Sequence, residues 1–205
     1  MCGRFAFFRW PHRFAEEMAF PQGHAPQWNI APGGNVLMQR VINHKRITQQ
    51  ARWGLTPVWL NDLSKTPAHA RAETLQTQPM FKDAFAKRRC IVLANGFYEW
   101  RGQLRKRPFW LTSEEPMMAF AAVWEAYPAG EVTFYSVALV TQAAAHLRRP
   151  LILDEAEQTT WLDPNAELES VVMLLNNPQK PLRERPLATL VNDPTFNSPE
   201  CLTPA

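Results

Sequence analysis

Between Val36 and Val140 the chain repeats short runs rich in Val, Ile, Leu, Phe, Tyr and Trp, separated by turns of Gly, Pro or Asn. Runs this short and this closely spaced pair as antiparallel strands and leave no room for βαβ crossovers. The runs Val36–Ile42 and Ile47–Trp53, joined by the polar Asn43-His-Lys-Arg46, read as a hairpin. Further strands are expected at Gly3–Phe8, Cys90–Ala94, Phe97–Trp100, Pro108–Leu111, Met117–Val123 and Val132–Val140, with Asn95-Gly96 as a turn between two of them.

Helical patterning is confined to the flanks of these runs. It predicts helices at Pro11–Met18, around Phe81–Phe85, and at Asp154–Leu162 and Glu167–Leu175. A Pro/Gly-rich loop is expected up to Gly34, another loop at Trp53–Trp59, and a last strand at Pro186–Val191. The fold class that follows is α+β: one domain over 205 residues, with a curved, barrel-like antiparallel β core and peripheral helices.

Charge and cysteine usage narrow the function. A net charge of +3 permits a polyanionic partner without demanding one. Three cysteines, Cys2, Cys90 and Cys201, with no CxxC pair, offer neither a disulfide framework nor a zinc site, so no metal or organic cofactor is expected. No apolar run reaches the roughly 20 residues that span a bilayer, and a signal peptide is not evident, so a cytoplasmic monomer without membrane contact is the expectation.

The position of Cys2 carries chemistry of its own. It follows the initiator Met and precedes a glycine, so ordinary methionine removal leaves a terminal 1,2-aminothiol. An α-amine has a reference pKa of about 7.7–8.0, far below that of lysine, and near neutrality part of it is an unprotonated nucleophile. An aldehyde can condense with such an amine to an imine and then accept the neighbouring sulfur, closing a five-membered thiazolidine. A buried, inert cysteine behind a retained Met1 is the plainer alternative for any second-position Cys.

Six blocks along the chain bear on that choice: Met1-Cys-Gly-Arg-Phe5, Trp28-Asn-Ile-Ala-Pro-Gly33, Trp53-Gly-Leu-Thr-Pro57, Ala70-Arg-Ala-Glu-Thr74, the run from Arg89 to Trp100, and His146-Leu-Arg-Arg-Pro150. In this order they resemble the SOS-response-associated peptidase family of abasic-site-shielding proteins. The resemblance implies that Cys2 bonds covalently to the ring-opened sugar of an abasic site in single-stranded DNA, a lyase-like crosslinking activity serving DNA repair. It also implies Glu99 as the carboxylate that orients the amine and takes its proton, and His146 as the group that exchanges a proton with the sugar oxygen. Self-removal of Met1 is the modest form of the peptidase activity in the family's name.

At two positions the sequence departs from the family: Asn95-Gly96 stands where Asp-Gly is common, a change that suits a tight turn equally, and His69-Ala-Arg71 stands where the pattern is Asn-Ala-Arg, placing a bulkier and titratable ring at the reaction centre. The resemblance further nominates Arg4, Arg71 and Arg148 for phosphate contacts, and Asn29 and Pro32 as residues shaping the groove. Trp53 and Trp59 are candidates for stacking on bases. The basic loop Arg101–Arg107 reads as a solvated turn and stays outside the expected site. Two other functions fit parts of the sequence: a single-strand-binding module with an inert Cys2, and an N-terminal-nucleophile amidohydrolase, which also begins Met-Cys-Gly but lacks the downstream blocks.

Overall fold

The computed structural model describes residues 2–12, 20–102, 104–145 and 147–205. Five of its strands close on themselves: β3 (Asn35–Ile42), β4 (Lys45–Trp53), β10 (Val132–Ala144), β9 (Met118–Ala129) and β6 (Arg89–Ala94). All neighbours in this ring are antiparallel except β4 and β10, which run parallel through Ser136↔Arg52 and Val137↔Trp53. Closure removes the sheet edges that would otherwise expose unpaired backbone. The barrel-like α+β architecture expected from the strand cadence is therefore present.

The β3–β4 hairpin turns more tightly than its polar linker suggested. Only Asn43 and His44 lie between the strands, both with positive φ (48° and 62°), as a two-residue turn of the right twist requires. β6, apolar from Cys90 onward, is buried along its full length because the barrel covers one face and helices cover the other. Arg89 at its start sends its guanidinium to the backbone carbonyls of Phe85, Ala86, Trp161 and Asp163. It thereby satisfies the open C-terminal ends of α1 (Lys82–Lys87) and α2 (Glu155–Leu162).

A second sheet has the order β13-β8-β7-β1-β2, built from Arg183–Pro186, Arg107–Thr112, Gly96–Arg101, Arg4–Phe7 and Gln27–Ile30. Asn95-Gly96 is where the chain passes from the barrel to this sheet, not the hairpin turn the dipeptide suggested. Asn95 is buried, and its amide holds four backbone groups: it accepts from Phe8 N and Arg9 N and donates to Arg9 O and Pro116 O. Gly96 is required by space. A Cβ there would enter the Trp110 ring and lie 2.7 Å from the Leu111 carbonyl oxygen. Gly96→Ala is expected to cost about 2–3 kcal/mol, lowering the thermal midpoint by roughly 4–12 °C for a chain of this length; a melting curve checks it.

Other expectations shift. β2 lies inside the predicted Pro/Gly-rich loop, and the predicted final strand is instead β13 followed by a 3-10 turn at Thr189–Asn192. Short strands β5 (His69–Arg71) and β11 (Leu147–Pro150) flank the long β10, while β12 (Ile152–Leu153) pairs with β9. Helix α2 begins at Asp154 with a capping box to Glu157, and α3 spans Leu168–Leu175. Most of the predicted helix at Pro11–Met18 lies outside the described residues. Among the described residues no helix is long and apolar enough to cross a membrane.

Candidate functional site

Cys2 enters just ahead of β1, where it is fully buried (0% exposed) in the main core. Its thiol points back to the Arg4 carbonyl at 3.6 Å. Burial pushes the thiol up to about 12, so at neutral pH it is a protonated SH. Strand β5 brings His69 to this residue: parallel pairing with β10 sets His69 opposite Leu139, and its Nε2 lies 2.7 Å from the Cys2 carbonyl oxygen. A carbonyl oxygen only accepts, so Nε2 carries the proton. Burial also lowers the His69 pKa, keeping the ring neutral, and Trp53 packs edge-on against it with centroids 5.4 Å apart.

Glu99 approaches from the adjacent strand. β7 pairs with β1 through Arg4↔Tyr98 and Phe5↔Phe97, so the next step of the same register sets Gly3 opposite Glu99. Its charge reaches the Cys2 thiol and helps raise that group's proton affinity. Only 3% exposed, Glu99 is clamped by two arginines. Arg149 donates from Nε to Oε1 at 2.7 Å and Arg101 from Nε to Oε2 at 3.1 Å. Burial alone would raise the Glu99 pKa, but hydrogen bonds and charge from Arg149 and Arg101 outweigh it, so the carboxyl sits below the usual range and stays ionised.

Beside this clamp lies a groove of about 800 Å³ lined in part by Trp100, Arg101, Lys106, Leu147, Arg149 and Glu184. A neighbouring depression shares Trp100 and Lys106 with it and extends to Gly3 and Arg4. Together the depression and the groove run from the start of β1 to the arginines that clamp Glu99.

The nominated residues fall into distinct places. Arg4 is held by Asn29 Oδ1 and the Val191 carbonyl, each at 2.9 Å, and lies over the Trp100 ring. Asn29 is itself buried, donating to the carbonyls of Asp193 and Phe196. It supports Arg4 from below and presents no surface to a ligand, which corrects its assignment to a DNA-lining loop. Pro32 is exposed at the first central position of a turn whose second, Gly33, has φ +90°. Arg71 is exposed at the end of β5, and no carboxylate among the described residues pairs with it. Arg148 binds Glu73 at 2.6 Å and the Thr141 carbonyl at 2.7 Å.

The tryptophans divide. Trp53 is 0% exposed with its Nε1 bonded to the Ala68 carbonyl, so it has no face for a base and serves the core, a second correction. Trp59 is 57% exposed, but it lines a separate groove with Val58, Met80 and Arg88. His146 lies outside the described residues. The residues that sequence reasoning missed are Arg149, Arg101, Lys106 and Trp100. Arg149 stood beside the nominated Arg148, and strand alternation, which sends neighbours to opposite faces, was the signal that could have separated them.

His69 makes a pH prediction. Its folded pKa is depressed, so above the ordinary value near 6.5 both folded and unfolded states are neutral and stability is complete. As pH falls below that value the unfolded chain takes a proton that the folded chain resists, and stability declines. His24, also depressed by burial, contributes in the same direction. The thermal midpoint is expected to fall from pH 7 to pH 5, with a shallower fall in His69→Asn; an unchanged slope in that variant would remove His69 from the explanation.

Comparison with known proteins identifies the family and the fold. A family model described as SOS response associated peptidase (SRAP) matches residues 1–194. The abasic site processing protein YoqW of Bacillus subtilis (strain 168) is 30% identical over 98% of this chain and 99% of its own length. The abasic site processing protein HMCES of Rattus norvegicus is 28% identical over 90% of this chain and 67% of its own. In fold, a protein of Bacteroides thetaiotaomicron superposes with a TM-score of 0.85 over 100% of both chains at 19% identity. Matched along nearly its whole length by that family model and by a relative of equal extent, the chain belongs to the SOS response associated peptidase (SRAP) family.

Proposed function

We propose that this protein recognises abasic sites in single-stranded DNA and joins itself to them through Cys2 once Met1 has been removed. The observation that carries the reading is the setting of position 2. Two side chains on separate strands, His69 with Nε2 2.7 Å from the Cys2 carbonyl and Glu99 within electrostatic reach, converge on a residue whose amine becomes the chain terminus once Met1 is gone. Relatives named abasic site processing proteins supply the substrate class.

The order of events follows from the proton affinities. With its thiol pushed up to about 12, Cys2 attacks first with the amine, whose ordinary pKa is lower by several units. The amine nitrogen bonds to C1′ of the open-chain sugar, and water leaves as the imine forms. Ionised Glu99 takes the proton from the terminal ammonium, freeing the amine to attack, and can return it to the departing oxygen. The thiol then adds across the C=N bond, its proton moving to nitrogen, and the thiazolidine closes. One water is released overall and nothing is oxidised or reduced. Neutral His69 fixes the backbone of Cys2 by its hydrogen bond. Exposed Arg71 and the Arg4 end of the groove meet backbone phosphates.

The test is incubation of the purified protein with a single strand carrying one abasic site, followed by a denaturing gel. A heat-stable species of slower mobility is expected with the lesion and absent from undamaged strand. Retention of undamaged and damaged strands alike, with no covalent species, would instead identify a binding module.

A further inference from the structure

Beyond the immediate surroundings of Cys2 extends a concentrated charge cluster that the proposed reaction uses only in part. Arg101 and Arg149 both bind Glu99, and both also bind a second carboxylate, Glu184 of β13. Arg101 meets Glu184 from Nη1 at 2.6 Å and Nη2 at 2.8 Å, and Arg149 meets it from Nη2 at 3.0 Å. The two carboxylates differ in freedom. The Glu99 side chain is 2% exposed behind the two arginines, whereas the Glu184 side chain is 35% exposed on the edge strand of its sheet.

We propose that Arg101 and Arg149 form a phosphate seat, and that Glu184 occupies it in the free protein and gives way to a backbone phosphate of the bound strand. The inference rests on the DNA reading above and deepens it. Two guanidiniums against one buried carboxylate leave a net positive charge in the groove, and exposed Lys106 on the same wall adds to it. Glu184 spans the pair with two oxygens as a phosphate would, since each presents a pair of oxygens to the planar fork of an arginine. The groove, about 800 Å³, has room for a nucleotide. Glu184 then acts as a built-in competitor. It keeps the arginines aligned on Glu99 before DNA arrives and sets a threshold against polyanions that cannot fill the groove.

The experiment measures binding of a fluorescent undamaged oligothymidylate across a salt series, so that no covalent step enters. Glu184→Gln keeps the size and one accepting oxygen but removes the competing charge. Its binding is expected to tighten roughly fivefold at low salt, with the gain shrinking as salt screens the groove. The same change of net charge at exposed Glu131 on the β9–β10 turn should give no such gain. In a background of Arg101→Gln and Arg149→Gln, Glu184→Gln should change nothing. Unchanged or weaker binding in Glu184→Gln, an equal gain from Glu131→Gln, or a gain that survives loss of both arginines would overturn the seat while leaving DNA binding intact. Failure of wild type and variant alike to bind the strand would instead overturn the DNA reading itself.

Discussion

Cys2→Ala should abolish the covalent species on abasic single strands, reducing its rate by more than about a thousandfold, to gel background. The magnitude follows from what the substitution removes. An alanine terminus keeps an α-amine and can still form an imine, but an imine without a neighbouring sulfur returns to aldehyde and amine in water and does not survive heating. The adduct should therefore reappear only when a reductant traps it. Folding is not the confounder, because Cys→Ala replaces one small buried side chain by another, and a melting curve within about 1–2 kcal/mol of wild type is expected. A heat-stable adduct of normal yield in Cys2→Ala would assign the bond to another nucleophile.

The second large effect is at Glu99. Glu99→Gln preserves shape but cannot take a proton, and loss of a positioned general base typically costs about 10²–10⁴ in rate. The clamp explains why this residue can act at all near neutrality. A carboxyl with 3% exposure would by burial alone tend toward the neutral acid, and Arg149 and Arg101 reverse that tendency. Crosslinking by wild type should thus rise with pH along the titration of the Cys2 amine, with Glu99 already ionised throughout. Single-turnover rates between pH 6 and 9 check both statements: Glu99→Gln should be slow across the whole range. A variant that reached the wild-type rate at pH 9 would confine Glu99 to orientation.

Much of this arrangement was legible in the sequence, for identifiable reasons. The runs Cys90–Ala94 and Phe97–Trp100 read as strands because their residues favour a half- or fully buried pleated surface. Asn95-Gly96 was misread because the dipeptide's local preference cannot report that the two strands belong to different sheets, or that the Asn95 amide serves four distant backbone groups. β5 and β11 are too short to show a period, and they exist because β10 is long enough to template them. The proposed nucleophile was nominated by position together with the six matching blocks, since an amine beside a thiol requires a chain terminus, yet a second-position Cys by itself reads more plainly as inert. The Arg149–Glu99–Arg101–Glu184 cluster was not, because it joins β7, β11 and β13 and depends on which face each strand turns inward. Trp53 illustrates the opposite error: an aromatic at a motif edge suggested stacking on a base, while its indole closes the core against Phe5 and His69.

The central claim, a thiazolidine between Cys2 and an abasic sugar, is tested most directly by intact-mass analysis of wild-type protein after incubation with a defined single strand bearing one such site. The expected product lacks Met1, has the summed mass of protein and strand less one water, and on tryptic digestion carries the sugar on Cys2-Gly-Arg4 with both amine and thiol blocked. A Met1-free protein that remains unmodified beside the lesion, or an adduct that maps to a residue other than Cys2, would contradict it.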